Sequence, residues 1–239
     1  PGVRTLRMDA DTTRTKDSYE KILSAFSNGE ADVLIGTQMI VKGHDFPKVT
    51  LVGILAADLS LNASDYRAGE RTFQLLTQAV GRAGRGVLPG EAVIQTYQPD
   101  HYAITCAAAQ DYKSFYEEEI LYRELSGYPP AAHMLAVQIY GKEEENVKQL
   151  ARRLTDVVKS NMDFLSGKQK EQSNKKIQVL GPAPANISKI NDIYRYVFYV
   201  KHAEYDVLVE VKDRLEETLR QWQPRQMSIQ FDFDPVSVL

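Results

Sequence analysis

Residues 32–39 read Asp-Val-Leu-Ile-Gly-Thr-Gln-Met, a short apolar run that ends in glycine and small polar residues. Residues 50–55, Thr-Leu-Val-Gly-Ile-Leu, form a second run of the same kind. Continuous apolar runs bounded by turn residues are typical of strands buried on both faces of a parallel sheet. The sequence therefore predicts such a sheet in the first part of the chain.

Helical patterns alternate with these runs. Apolar residues recur at helical spacing over 19–26, and Asn28-Gly29 has the composition of a helix C-terminal cap. A second helix is predicted from about Tyr66 to Gly81, and 91–97 reads as another strand. Alternation of strands and helices predicts an α/β domain with a doubly wound parallel sheet.

A pair of prolines separates this part from the rest. Residues 101–127 have a helical pattern rich in tyrosine and glutamate, in which Glu117, Glu118 and Glu119 are expected to form a solvated face. The pattern stops at Tyr128-Pro129-Pro130, because prolines cannot continue a helix. The later patterns follow the order βαββαβ, the split arrangement of ferredoxin-like α+β domains. We predict two domains, 1–127 and 128–239.

Composition limits the possible functions. The 239 residues are 43% hydrophobic and 26% charged, which is typical of a globular protein. The longest apolar stretch, 49–57, is far shorter than the roughly 18 residues of a membrane span, so no membrane segment is expected. A single cysteine, Cys106, is compatible with a reducing cytoplasm and excludes a cysteine-built zinc site in this chain. The opening residues, without an initiator methionine, read as an interior cut.

The most specific motif is Gln-Ala-Val-Gly-Arg-Ala-Gly-Arg at 78–85. Arg82 and Arg85 are three residues apart at a predicted helix end, so their side chains should point to the same side. Guanidinium groups bind phosphate oxygens bidentately and keep their charge, as an arginine finger at a γ-phosphoryl transition state must. The alternative is a basic helix end that interacts with its own dipole.

A second motif, 36–47, directly follows the first predicted strand. Ligands of open α/β sheets bind beyond the carboxyl ends of the strands, so this loop is expected at the functional edge. Its small polar residues and backbone N–H groups suit contacts to a sugar-phosphate backbone, and Asp45 can accept a hydrogen bond from a ribose hydroxyl. Because the net charge is only −3, nucleic-acid binding has to come from local patches such as this one.

These motifs resemble those of known helicases. Residues 36–47 resemble motif V, and 74–85 resemble motif VI, of superfamily 2 helicases. This resemblance implies that the first domain is the C-terminal part of a RecA-like helicase lobe 2. More narrowly, essentially the whole chain is similar to the PriA-type family of primosomal replication-restart DNA helicases. The segments that carry this resemblance are 9–13, 36–39, 42–47, 66–71, 180–185 and 232–235.

The resemblance implies an ATP-driven 3′-to-5′ helicase, a hydrolase of the bacterial cytoplasm and nucleoid that recognises stalled or branched forks and initiates primosome assembly. By matching positions, Arg85 would be the arginine finger, with Arg82 beside it. The expected nucleotide contacts are Gln78, Gly43 and Asp45, and the expected DNA contacts are Thr37, Gln38 and Lys42.

The second domain resembles the terminal domain of the same family, which implies binding of forked or single-stranded DNA, of single-stranded-DNA-binding protein and of primosome proteins. Tyr194, Arg195 and Tyr196 would offer a mixed aromatic and basic surface to a single strand. Alternatively, the two tyrosines pack on the sheet. Ile193 and Val197 are apolar where a polar anchor for an acidic partner tail is expected, which weighs against that site.

Two departures from the family pattern define what this chain can do alone. It contains no G-x-x-x-x-G-K-[ST] sequence and no Asp-Glu-x-His box, so ATP with Mg²⁺ is expected to be shared with a separate lobe. The family's zinc is expected in the full-length protein but not here. The isolated chain is therefore expected to be inactive. Two alternatives stay open: a protein-docking module with a non-catalytic motor remnant, and an RNA helicase lobe.

Overall fold

The computed structural model describes residues 2–41, 46–84, 88–160 and 176–236. The chain divides into two compact units, and the division falls inside a helix. Unit 1 comprises Pro1–Ala63 and Ala68–Tyr116, and unit 2 comprises Ser64–Arg67 and Glu117–Leu239. The predicted domain boundary at 127/128 lies further along the chain and stays a prediction.

The first half of unit 1 is a parallel strand pair with one helix. Its elements are β1 (Thr5–Met8), α1 (Lys16–Ser27), β2 (Val33–Gly36) and a 3-10 helix (Gln38–Val41). Helix α1 begins where the Thr15 side chain accepts a hydrogen bond from the Ser18 N–H, and it ends at the predicted cap, where Gly29 has a φ of 77°. Met8, Leu23 and Phe46 form the centre of this core.

The second half of unit 1 repeats this pattern with another parallel pair. Its elements are β3 (Leu51–Ile54), α2 (Asp58–Leu61), α3 (Ala68–Val80), β4 (Glu91–Ile94), α4 (Tyr102–Ala108) and α5 (Tyr112–Ser126), of which α5 continues into unit 2. Helix α3 packs Phe73 and Leu76 against α4, and the rings of Phe73 and Phe115 stack at 4.1 Å. The second predicted helix, about 66–81, is therefore present with slightly shorter bounds.

The parallel strands of unit 1 are not buried as predicted. Within the described residues they form two separate two-stranded sheets, β1 with β2 and β3 with β4. Alternate side chains are exposed, with Ile35 at 57%, Leu51 at 60% and Val93 at 50%. Such alternation is the signature of a sheet covered on one face only. The prediction of one sheet buried on both faces is therefore wrong for the part of the chain that the structure describes.

Unit 2 is built on an antiparallel sheet with helices on one face. Its strands are β5 (His133–Gly141), β6 (Gln178–Ile190), β7 (Ile193–His202) and β8 (Met227–Phe233), and its helices are α6 (Glu144–Ser160) and α7 (Tyr205–Trp222). The strand order is β6-β7-β5-β8. Tyr196, Phe198 and Val200 point to the helix side and share a core with Leu154 of α6 and Leu208 of α7. Residues between them on β7 lie on the opposite face.

Strand β6 is much longer than the sequence predicts. The predicted strand covers 177–180, because Pro182 and Pro184 interrupt the pattern that follows. In the structure β6 is an edge strand, where a proline need not donate a ladder hydrogen bond. Its pairing with β7 shifts register between Leu180 and Ala183 and again between Pro184 and Lys189. Bulges at an edge accommodate the prolines without ending the strand.

Helix α5 contains a buried ion pair. The Glu119 carboxylate accepts hydrogen bonds from Arg123 Nε and Nη2 at 2.7 and 2.5 Å, and both side chains are buried. Arg123 Nη1 also donates to the Pro129 carbonyl at 2.7 Å. The expectation of a solvated acidic face holds for Glu117 and Glu118, which are exposed, and is wrong for Glu119.

Candidate nucleotide and nucleic-acid interface

A self-stabilised turn follows β1. Asp9 Oδ1 accepts hydrogen bonds from the N–H groups of Asp11 and Thr12 at 3.1 and 3.0 Å, and Thr13 Oγ1 donates to the Asp9 carbonyl at 2.6 Å. The backbone hydrogen bond from Thr12 is the main cause that holds the pKa of Asp9 below its usual range. The turn also touches the next loop, because Thr13 Oγ1 lies 3.8 Å from Met39 Sδ.

Thr37 and Gln38 lie in that next loop, at the carboxyl end of β2. Gly36 permits the tight turn, because a Cβ there would lie 2.1 Å from the Met8 carbonyl oxygen. The Thr37 N–H donates to the same carbonyl at 3.4 Å, and the side chains of Thr37 and Gln38 are exposed. Both predicted DNA contacts are therefore accessible at one sheet edge. The predicted residues Lys42, Gly43 and Asp45 lie outside the described residues.

The arginine motif straddles the end of α3. Gln78 is exposed on the last turn of the helix. Arg82 lies in the turn beyond Val80 and is partly buried. Its backbone N–H donates to the Ala79 carbonyl at 3.0 Å. Arg82 is thus positioned by a turn rather than by the helix itself. Arg85, the predicted arginine finger, lies outside the described residues.

The structure brings the two sequence motifs of unit 1 together. The Gly84 N–H donates to the Val49 carbonyl at 3.1 Å, next to the end of the 36–47 loop. Gly84 has a φ of 71°, and a Cβ there would lie 2.6 Å from the Gly90 nitrogen. Helix α3 also contacts the 3-10 helix Gln38–Val41. The arginine motif and the loop after β2 are therefore neighbours within unit 1.

The described part of this arrangement offers cationic and neutral hydrogen-bond donors. A guanidinium from Arg82, a hydroxyl from Thr37 and an amide from Gln38 can donate to phosphate oxygens. Among the described residues, no three His, Cys, Asp or Glu side chains are grouped as metal ligands would be. The chemistry of these side chains suits phosphate groups of a nucleotide or of a nucleic-acid strand.

Tyr194, Arg195 and Tyr196 alternate along β7 and do not form one surface. Tyr196 is 8% exposed, belongs to the core of unit 2 and donates its hydroxyl to Glu144 Oε1 at 3.3 Å. Burial is the main cause that raises the pKa of the Tyr196 hydroxyl. The prediction that Tyr196 stacks on a single strand is therefore wrong, and the alternative of packing on the sheet applies to it. Tyr194 is half-buried, with Lys189 Nζ 4.8 Å from its ring centroid.

Arg195 lies on the face of the sheet opposite to Tyr196, next to Tyr140. Tyr140 was not predicted from the sequence as part of this surface. The Arg195 guanidinium carbon is 5.7 Å from the ring centroid of Tyr140, its partner in the β5–β7 register. Tyr140 also donates its hydroxyl to Gln230 Oε1 at 3.2 Å. An aromatic ring, a guanidinium and amides on one sheet face suit contact with a single strand. The available signal was the alternation along β5, which places Tyr140 on the face away from α6.

Family comparisons match both parts of the chain. A model of the helicase conserved C-terminal domain matches residues 2–87, and a model of the primosomal protein N C-terminal domain matches residues 124–236. The two matches define a helicase C-terminal domain followed by a primosomal protein domain.

None of the helices in the described ranges combines the length and apolarity that a bilayer crossing requires.

Curated relatives narrow this class to one family. The chain is 40% identical over 240 residues to the replication restart protein PriA of Bacillus subtilis (strain 168), covering 100% of this chain and 28% of the relative. It is 37% identical over 238 residues to the replication restart protein PriA of Synechocystis sp., covering 100% of this chain and 27% of that relative. The chain belongs to the replication restart protein PriA family, as a C-terminal part. The protein-docking and RNA-helicase alternatives are not favoured by these matches.

Proposed function

We propose that this chain forms the C-terminal part of an ATP-dependent 3′-to-5′ DNA helicase that recognises stalled or branched forks and initiates primosome assembly. The observation that supports this most is the contact between the arginine motif and the loop after β2, made by the Gly84 N–H and the Val49 carbonyl. Because the two motifs are neighbours, groups suited to a nucleotide and groups suited to a DNA strand lie side by side. Since the chain spans about 28% of the relative, the activity of the whole protein is part of the proposal.

In this proposal the chain supplies only one side of the ATP site. Arg85 acts as the arginine finger, and Arg82 and Gln78 lie beside the nucleotide, with Gly43 and Asp45 linking it to the DNA loop. ATP with Mg²⁺, held mainly by a separate P-loop lobe, supplies the γ-phosphoryl group that is hydrolysed. The guanidinium groups of this chain neutralise the charge that develops on that group.

Two surfaces are proposed for DNA. In unit 1, Thr37, Gln38 and Lys42 contact the strand backbone. In unit 2, Arg195 and Tyr140 present a cation and a ring on the open face of the sheet, whose strand order supports the split βαββαβ arrangement of ferredoxin-like domains. The proposed partners are forked or single-stranded DNA, single-stranded-DNA-binding protein and primosome proteins at the bacterial nucleoid.

The test is ATP hydrolysis by the intact protein with Arg85→Ala. Loss of an arginine finger should lower the DNA-stimulated turnover by about 10³-fold or more, because the transition-state charge is no longer neutralised. Binding of forked DNA should persist, since that contact is assigned to other residues. The isolated chain should show negligible hydrolysis.

Arg14→Ala is the matched control. Arg14 is an exposed arginine of unit 1 with a side chain that is 78% accessible, and it forms an ion pair with the nearby Asp11. Its removal should leave turnover unchanged. Full DNA-stimulated hydrolysis by the Arg85→Ala protein would contradict the proposed function.

A further inference from the structure

Unit 2 contains a cleft of about 460 Å³ whose lining includes none of the site residues predicted from the sequence. This volume is large enough for a small ligand or a long side chain. Its walls come from the Ser64–Arg67 segment, from α5 and the residues after it, and from strands β5, β6 and β7. The lining residues are Ser64, Asp65, Tyr66, Tyr122, Tyr128, Met134, Leu180, Gly181, Ala183, Pro184, Asn186, Val197 and Tyr199.

The cleft has an apolar floor and an aromatic rim. Met134 and Val197 are buried at its base, and Tyr122 is 47% exposed at its edge. Four of the lining residues are tyrosines, whose rings carry negative charge on their faces and whose hydroxyls can donate or accept hydrogen bonds. A ligand would therefore meet aromatic surface on several sides.

The ionisable groups of the lining have one sign. Asp65 contributes a carboxylate, and no Lys, Arg or His is among the lining residues. Burial, together with the charge of Asp65 and the neighbouring Tyr128, raises the pKa of Tyr199 to about 12, so its hydroxyl stays protonated at neutral pH.

The same aromatic cluster already binds two cations of the chain. The rings of Tyr66 and Tyr128 stack at 5.1 Å with an interplanar angle of 7°. Lys201 Nζ lies 4.0 Å from the Tyr128 centroid, and the Arg123 guanidinium carbon lies 5.1 Å from the Tyr66 centroid. Both cations are held in place, Lys201 by the Ser126 carbonyl at 2.7 Å and Arg123 by Glu119. Lys201 and Arg123 do not line the cleft. Tyr122 and Tyr199 line it in addition to Tyr66 and Tyr128.

We infer that this cleft is a docking site for a basic side chain, the arginine or lysine of a partner protein, held between tyrosine rings and paired with Asp65. Aromatic walls with a nearby carboxylate are complementary to a cation. The same carboxylate repels phosphate, so charge disfavours a nucleotide in this position. None of the lining residues is a proposed nucleotide or DNA contact, and the inference does not rest on the helicase activity.

The test uses the 239-residue chain and short peptide probes. Acetyl-Gly-Arg-Gly-amide and its lysine equivalent should shift the backbone amide resonances of Asp65, Tyr122 and Tyr199, with saturation at millimolar concentration. The citrulline peptide, which is nearly isosteric with the arginine peptide but neutral, should cause no comparable shift. The Trp222 indole signal, which arises outside the cleft, should stay unchanged.

Two variants probe the charge and the wall separately. Asp65→Asn removes the charge but keeps the Oδ1 atom that accepts the Arg67 N–H at 2.9 Å, and it should weaken arginine-peptide binding about tenfold. Tyr122→Ala, at an exposed position, should weaken it about fivefold. Tyr97→Ala is the control, because Tyr97 is 87% exposed and does not line the cleft.

Any one of the following results would overturn the inference. They are equal binding of the citrulline peptide, unchanged affinity in Asp65→Asn, and tighter binding of dGMP than of the arginine peptide at the same resonances. Absence of any shift with both basic peptides has the same meaning. None of these outcomes bears on the Arg85→Ala experiment, so the two proposals fail independently.

Discussion

Gly36 is the residue on which the turn after β2 depends. An alanine there would place its Cβ 2.1 Å from the Met8 carbonyl oxygen and 2.7 Å from Ile40 Cδ1. Backbone cannot yield as a flexible side chain does, so we expect Gly36→Ala to lower the free energy of unfolding by about 2 kcal/mol. Urea denaturation followed by far-UV circular dichroism measures this loss.

Gly53→Ala provides the comparison for this prediction. Gly53 also lies in a strand of unit 1, and a Cβ there meets nothing within 4 Å. Its replacement should leave stability unchanged or slightly higher, because alanine restricts the unfolded chain more than glycine. Equal losses in the two variants would show that close backbone packing at Gly36 does not matter.

At the scale of single residues, burial separates the predicted contact residues, whose roles stay predictions. Thr37, Gln38 and Gln78 are exposed, as contact residues must be, because turn and helix-end signals are local. Tyr196 and Tyr194 look alike in the sequence, but only the sheet position places Tyr196 in the core. Tyr140 became a neighbour of Arg195 through a pairing register that no local pattern specifies.

Within helix α5, the buried pair Glu119 and Arg123 gives a prediction about a whole element. Glu119→Ala leaves the Arg123 charge buried without this carboxylate, which should cost about 3 kcal/mol of unfolding free energy. The loss should change little with salt, since buried pairs are weakly screened. Urea unfolding followed by fluorescence of Trp222, the single tryptophan, reports on unit 2.

Glu118→Ala is the matched control on the same helix. Glu118 is exposed, so its replacement should change stability by no more than about 0.5 kcal/mol. A similar effect of both substitutions would indicate that the acidic run is solvated throughout, as its sequence alone suggests.

Elements with strong periodicity were predicted and those shaped by their neighbours were not. Helices α3 and α6 follow from their apolar stripes, and the cap at Gly29 follows from its residue type. The length of β6 could not be read from a sequence interrupted by prolines, because only its edge position makes them tolerable. The exposed face of β2 could not be predicted for a related reason. An apolar run indicates a strand, but it does not specify whether other elements pack on both of its faces.

Across the whole molecule, the Ser64–Arg67 segment belongs to unit 2 although it lies between two parts of unit 1 in the sequence. Tyr66 donates its hydroxyl to the Pro235 carbonyl at 2.8 Å. We therefore expect Tyr66→Phe, which keeps the ring stacked on Tyr128, to destabilise unit 2 by about 1 kcal/mol. The midpoint of urea unfolding, followed by Trp222 fluorescence, should fall accordingly.

Tyr97→Phe serves as the reference variant for this prediction. Tyr97 lies in unit 1 and is 87% exposed, so loss of its hydroxyl should not move the Trp222 transition. An unchanged midpoint in Tyr66→Phe would mean that the segment contributes no stability to unit 2. Composition and periodicity could not predict that four residues from within the first unit's sequence belong to the second unit.

The interleaving of the two units has a consequence for biosynthesis. Tyr66 and Pro235 are 169 positions apart, so a ribosome that adds roughly 5–20 residues per second makes them roughly 10–30 s apart. During that interval Tyr66 has been made, while the carbonyl that binds its hydroxyl does not yet exist. Unit 2 can therefore reach its final form only after Pro235 has been added. Until then the hydroxyl of Tyr66, which is made early in synthesis, lacks its native acceptor, which is made late.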